Sequence, residues 1–198
     1  MDKTHLTKEK IIAQAAPIFN QQGYSGTSIS AIMAATGLKK GGIYNHFASK
    51  DELALAAFDY SINLIKQRYG QILKENSGNA TGQLLGIINV LSDNAADSPV
   101  PGGCPVLNTA VESDDAHVLL RQRVREVMDE WHEMIGRIVA RGIERGQFQP
   151  TVDGAALATI LIALIEGAVM QSRLYDDPVH VNRAMTYLTD YLQNSVIK

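Results

Sequence analysis

One cysteine, one tryptophan and six prolines in 198 residues set the first limits on this chain. A lone cysteine excludes an intrachain disulfide framework. No apolar run reaches the roughly 20 residues that cross a bilayer as a helix; the longest, Ala155 to Met170, is broken by Glu166. Met1 to Thr7 is polar and lacks the apolar core of a secretory signal, so a cytoplasmic protein without a membrane partner is expected. Gly-Xaa-Ser-Xaa-Gly, a phosphate-binding loop, a dinucleotide fingerprint and His-Glu-Xaa-Xaa-His are all missing. Cys104 with His117 or His132 is the one conceivable nucleophile–base pair, and nothing fixes its geometry. An enzyme is not expected, and no motif calls for a cofactor. Basic excess is missing too. The net charge is −3, where an architectural DNA protein would want a strongly basic total.

What charge there is lies unevenly. Residues 1–50 carry six lysines against two acids, +4, whereas residues 51–198 carry 12 basic against 19 acidic groups, −7. A basic head on an acidic body is what a small DNA-contacting domain joined to a non-contacting one requires. With aromatics at 6% and many alanines and leucines, the chain is expected to be all-α.

The head contains TSISAIMAATGLKKGGIYNHFASKD, Thr27 to Asp51, which reads as two short helices about a glycine turn. A hydroxyl of Thr27 or Ser28 can cap the first; Ile29, Ile32 and Met33 mark its buried face, and Gly37 can close it in the left-handed conformation. The second runs from about Lys39 to Phe47, with Leu38, Ile43 and Phe47 turned inward. Lys39, Lys40, Gly41, Gly42, Tyr44, Asn45 and His46 are left facing out. Two glycines inside so short a helix are each unfavourable by roughly 1 kcal/mol against alanine, which an ordinary polar corner does not explain. They do allow close approach to a duplex. Lys40, Tyr44, His46 and the following Lys50 suit phosphates, and Asn45 and Lys39 suit base edges. Thr27 and Ser28 complete the candidate DNA-binding set.

Ala15, Phe19, Gly23-Tyr24, Thr27, Ile32, Ala35, Gly37, Lys40-Gly41, Ile43-Tyr44, His46-Phe47 and Lys50-Asp51-Glu52-Leu53 together resemble the DNA-binding domain of the TetR/AcrR family of bacterial transcriptional regulators. The resemblance covers about the first quarter of the chain. It implies a three-helix helix-turn-helix DNA-binding domain over residues 1–50 and an all-helical regulatory and dimerisation domain over 51–198. It further implies a homodimer that binds a palindromic operator in double-stranded DNA and is released by a small-molecule effector. Lys39 departs from the family, which usually has a capping residue there.

Along the body, a first helix is expected over Thr7 to Gln22 with Pro17 inside it, and a linking helix from Ser49 or Lys50 to Glu75. Others are expected over Gln83–Asn94, Cys104–Ser113, from a cap at Asp114 or Asp115 to Arg145, and from a cap at Asp153 to Tyr175. Asp97-Ser98-Pro99-Val100-Pro101-Gly102-Gly103 is the strongest breaker run. The helix Gly154–Tyr175 is apolar on nearly every side and so should be buried. The last helix, after Asp177-Pro178, places Val181, Ala184, Met185, Leu188, Tyr191 and Leu192 on one face. A second copy of this pair would complete a four-helix bundle about a twofold axis.

Cys104, in Gly102-Gly103-Cys104-Pro105 with Asn108 following, resembles a Gly-Cys-Pro step in a subset of the family. A thiol at a helix N-terminus has more thiolate and reacts with electrophiles and oxidants; a free cysteine also commonly just packs. Both readings stand, and Arg121, Arg123 or Arg125 would strengthen the first if near. Trp131, Met134, Met170 and Tyr175 are candidates to line a small-molecule pocket. Glu112, Asp114, Asp115 and His117 are expected to serve a helix N-terminus rather than a metal ion.

Overall fold

The computed structural model describes residues 3–96 and 98–198; Met1, Asp2 and Asp97, the first residue of the breaker run, lie outside them. Among the described residues the chain is helical, with no strand beyond an isolated bridge between Phe148 and Ile197. Nine α-helices follow one another there: α1 Lys3–Gly26, α2 Ile29–Thr36, α3 Lys40–Tyr44, α4 Lys50–Glu75, α5 Ala80–Ala96, α6 Pro105–Ser113, α7 Val118–Glu144, α8 Gly154–Tyr175 and α9 Val179–Tyr191. A π-helical turn, Leu192–Val196, ends the run.

The chain gathers into two compact units, Met1–Ile65 with Pro99–Arg125, and Lys66–Ser98 with Glu126–Lys198. The first unit therefore extends past residue 50, taking in most of α4, all of α6 and the start of α7. Its core joins Ile11 and Ala15 of α1, Ile32 of α2, Ile43 of α3, Phe47, Leu53 of α4 and Val100. In the second unit α8 packs on α9, and α5 packs on both. Ile87, Trp131, Ile135, Phe148, Leu161, Ile165 and Leu188 are among its buried side chains.

Local chemistry explains most helix ends. Helix α1 leaves helical geometry at Gly23 (φ 73°, ψ 173°), not at Pro17; that backbone region is essentially closed to any residue with a Cβ. Ser28 is the cap of α2, its hydroxyl accepting from Ala31 N at 3.1 Å. Gly37 closes α2 with φ 71°, and Asp153 caps α8 by accepting from Ala155 N and Ala156 N. Three expectations need correcting. Helix α3 is five residues long, not nine, because Lys39 occupies the cap position and supplies no side-chain acceptor, while Asn45 already lies at its C-terminal end. Helix α7 begins at Val118, so neither Asp114 nor Asp115 caps it; His117 does, its Nδ1 accepting from Leu120 N at 3.1 Å. Leu188 and Val181 of α9, and Leu192 just after it, are 0%, 5% and 0% exposed within the single chain, so these three side chains close the chain's own core, while Ala184, Met185 and Tyr191 of the same face are half-buried.

Candidate DNA interface and effector sites

The two helices of the turn meet at Gly37, and their outer surface is the candidate interface. Lys39, Lys40, Gly41, Tyr44 and Asn45 are exposed, whereas Gly42, His46 and Lys50 are half-buried. The Lys40 ammonium lies 5.8 Å from the Tyr44 ring centroid. Gly41 has an ordinary helical backbone, and a Cβ built there would meet nothing within 4 Å among the described residues. Nothing inside the fold therefore demands glycine at this position, although glycine weakens so short a helix. Thr27 is turned inward, 2% exposed, and its hydroxyl donates to Gly23 O at 2.6 Å; it holds the turn and is not presented to a groove. Ser28 is exposed and caps α2.

Lys50 is also committed within the head. Its ammonium donates to Tyr24 O and lies 4.2 Å from the centroid of the Tyr24 ring. The Tyr24 hydroxyl donates to Asp51, and His117 approaches the same carboxylate at 3.6 Å. This hydrogen bond is the main cause that pushes the Tyr24 phenol up to about 12, with burial and the Asp51 charge adding to it. Seen from the other side, the same bond is the main cause that lowers the Asp51 carboxyl below its ordinary value, with His117 contributing. The sequence pattern alone did not expose this cluster, since Tyr24, Asp51 and His117 come from three separate segments.

The effector candidates fall in separate places. Cys104 is half-buried at the cap position of α6 and makes no side-chain cap hydrogen bond. Asn108 is already committed: its amide donates to Asn20 O, Asn20 Oδ1 and Gly102 O at 2.9–3.1 Å. Arg123 pairs with Asp59 at 2.6 Å, and Arg121 donates to Asp114 O at 3.0 Å. In the second unit Trp131 and Met134 line a narrow apolar recess with Tyr69, Ile87, Ile135 and Ile162. The Trp131 indole N–H is buried beside the Tyr69 hydroxyl. Burial pushes the neighbouring Tyr69 phenol up to about 12. Met170 and Tyr175 do not line this recess. They are 51% and 65% exposed on the outer side of α8, where Tyr175 stacks on His180 at 5.1 Å.

Comparison with known proteins bears on both halves of the chain. Residues 11–57 match the family described as bacterial regulatory proteins, tetR family, and residues 80–188 match the tetracyclin repressor-like C-terminal domain. A TetR transcriptional regulator from Chloroflexus aurantiacus, of known crystal structure, is 46% identical with a TM-score of 0.94, over 100% of this chain and 99% of that one. The HTH-type transcriptional repressor DhaR of Mycobacterium sp. (strain GP1) is 20% identical over 93% of this chain and 91% of its own. The repressor NemR of Escherichia coli (strain K12) is 24% identical over 86% of this chain and 85% of its own. The crystal structure of the reduced form of E. coli NemR shares the fold, with a TM-score of 0.82 at 19% identity over 96% of each chain. The chain therefore belongs to the tetR family of bacterial regulatory proteins, a transcriptional regulator and not an enzyme.

Proposed function

We propose that this regulator is a cytoplasmic repressor that binds a palindromic operator as a homodimer and leaves it when an effector reaches the body. The observation that carries the DNA contact is the exposed set Lys39, Lys40, Tyr44 and Asn45 about Gly41, where a Cβ would meet nothing within 4 Å among the described residues and a duplex can come close. Lys40 and Tyr44 suit phosphates, Asn45 and Lys39 suit base edges, and Ser28 suits the backbone beside them. His46 and Lys50, half-buried, flank this surface. Selection of an operator from random duplexes, followed by titration of variants, tests the assignment. Tyr44→Ala should weaken all duplexes alike, while Asn45→Ala should relax preference at particular base pairs. Tyr44→Ala binding as tightly as the parent at the same salt would sink it.

Two observations support two kinds of signal. The narrow recess beside Trp131, with apolar walls, suits insertion of a small apolar group. Cys104, half-exposed at the start of α6, suits an electrophile or oxidant, and the relative NemR has a structure of its reduced form. Operator release by a quinone or peroxide separates them. If Cys104 is the switch, Cys104→Ser holds the operator through the treatment that releases the parent; equal release of both leaves the pocket ligand as the signal.

A further inference from the structure

Helix α6 is fastened to α1 at both ends. At its start, the Asn20 amide donates to Pro101 O and Gly103 O at 3.1 and 3.0 Å, and Asn108 donates back to Asn20 and to Gly102 O. The loop comes so close that a Cβ on Gly102, which has φ 121°, would sit 2.7 Å from the Asn20 side chain. One turn further along the same face stands Glu112. Its carboxylate accepts from Tyr24 N at 2.5 Å and Ser25 N at 2.8 Å, the two amides that follow the break at Gly23. A Cβ on Gly23 would lie 2.6 Å from that carboxylate, so the break is shaped around Glu112 as well as by its own backbone. Hydrogen bonds to a charged acceptor are about twice as strong as neutral ones. Thr27 and the cap Ser28 follow at once, so the direction in which α2 and α3 leave α1 is set at this point.

We propose that Glu112, at the end of the α6 strut, is a positioning residue for DNA recognition, fixing the break from which α2 and α3 leave α1. The inference rests on the reading of α2 and α3 as the DNA-contacting helices, but it does not need Cys104 to be the sensor. The thiol serves only as a reporter of the loop at the far end of the strut. Coupling between two ends of one element is reciprocal. What occupies the DNA-reading surface must therefore be felt at Cys104, and a change at the loop must be felt at the operator.

The test uses the full chain and a selected operator. Operator affinity and the rate at which a maleimide labels Cys104, with and without saturating operator, are measured for the parent, E112Q, E112A, N108A and V111S. Val111 is 70% exposed on α6 and serves as the control. In the parent, operator should change the labelling rate at least about threefold, a modest coupling on the usual scale. E112A should bind operator about tenfold more weakly, since two charge-assisted bonds go. E112Q, keeping one acceptor oxygen, should fall between them and decides the matter if E112A proves unfolded by circular dichroism. In E112A and N108A the labelling rate should no longer respond to operator, a readout that mere loss of stability would not move; V111S should match the parent. A parent with no preference for any palindrome would overturn the DNA reading and this inference together. A parent that prefers one, with both Glu112 variants binding within about twofold of it and labelling still operator-dependent, would overturn this inference alone.

Discussion

Tyr24 and Asp51 share one hydrogen bond, and it fixes how the head responds to pH. The folded Tyr24 pKa, raised from 10.0 to about 12, means that its stabilising contribution is whole below pH 10 and is lost as pH climbs through about 12. Asp51, lowered by the same bond, contributes above its ordinary value and loses that contribution as pH falls through its depressed one. Phenolate absorbance of the parent minus that of Tyr24→Phe should therefore titrate well above 10; a difference curve centred at 10 would refute the bond. Lys50 gives a second expectation at this scale. Lys40→Ala should lower the slope of log affinity against log salt by about one for each phosphate that the lysine neutralises. Lys50→Ala should lower it less, because that ammonium is held on Tyr24; equal slopes in a salt titration would mean that Lys50 leaves Tyr24 for the DNA backbone. The exposure of Lys39, Lys40, Gly41, Tyr44 and Asn45 was legible from local spacing, while the half-burial of Gly42 and His46 was not. The commitments of Lys50 and Asn108 were not either, since each depends on a partner distant in sequence.

Helix ends show where local rules suffice and where they stop. Ser28, Gly37 and Asp153 act through groups within a few residues, so capping chemistry identifies them correctly. His117 escapes such rules because imidazole is an uncommon cap and two carboxylates lie nearby in sequence. Its Nδ1 must be unprotonated to accept from Leu120 N, which leaves Nε2 to carry the hydrogen toward Asp51. Spacing overextends α3 because the inward residues Ile43 and Phe47 keep a helical interval even though Asn45 already ends the helix. Ser28→Ala should lower stability by about 1 kcal/mol, read as a shift in the denaturation midpoint at unchanged slope. His117→Ala should also lower it by losing both the cap of α7 and the edge of the ring, which meets Tyr24 at 4.4 Å. A His117→Ala midpoint equal to the parent's would mean the cap is not formed in solution.

At the scale of the whole molecule, α8 raises the question of what covers it. Its sequence is apolar nearly all round, which predicts burial without saying against what. Within one chain only one side is buried, through Leu157, Leu161, Ile162, Ile165 and Val169. The other side leaves Ile160 43%, Leu164 36%, Met170 51% and Leu174 75% exposed. A contiguous apolar face of this kind calls for a partner, and a second copy fits the proposed repressor because two heads on one twofold axis meet two half-sites. The phase of the surface matters. Leu188 of α9 was expected at the subunit boundary but is 0% exposed in the single chain, whereas Tyr187 beside it is 62% exposed. Two substitutions of the same kind should therefore part ways. Leu174→Glu places a charge on the outer face, and should give a folded monomer whose operator affinity collapses because one head alone grips only one half-site. Leu188→Glu buries an unpaired carboxylate in the chain's own core, and should unfold the body at any concentration. Sedimentation with circular dichroism distinguishes them. A Leu174→Glu protein that remains a dimer would remove this face of α8 from the interface, and a Leu188→Glu protein that is folded and monomeric would return α9 to it.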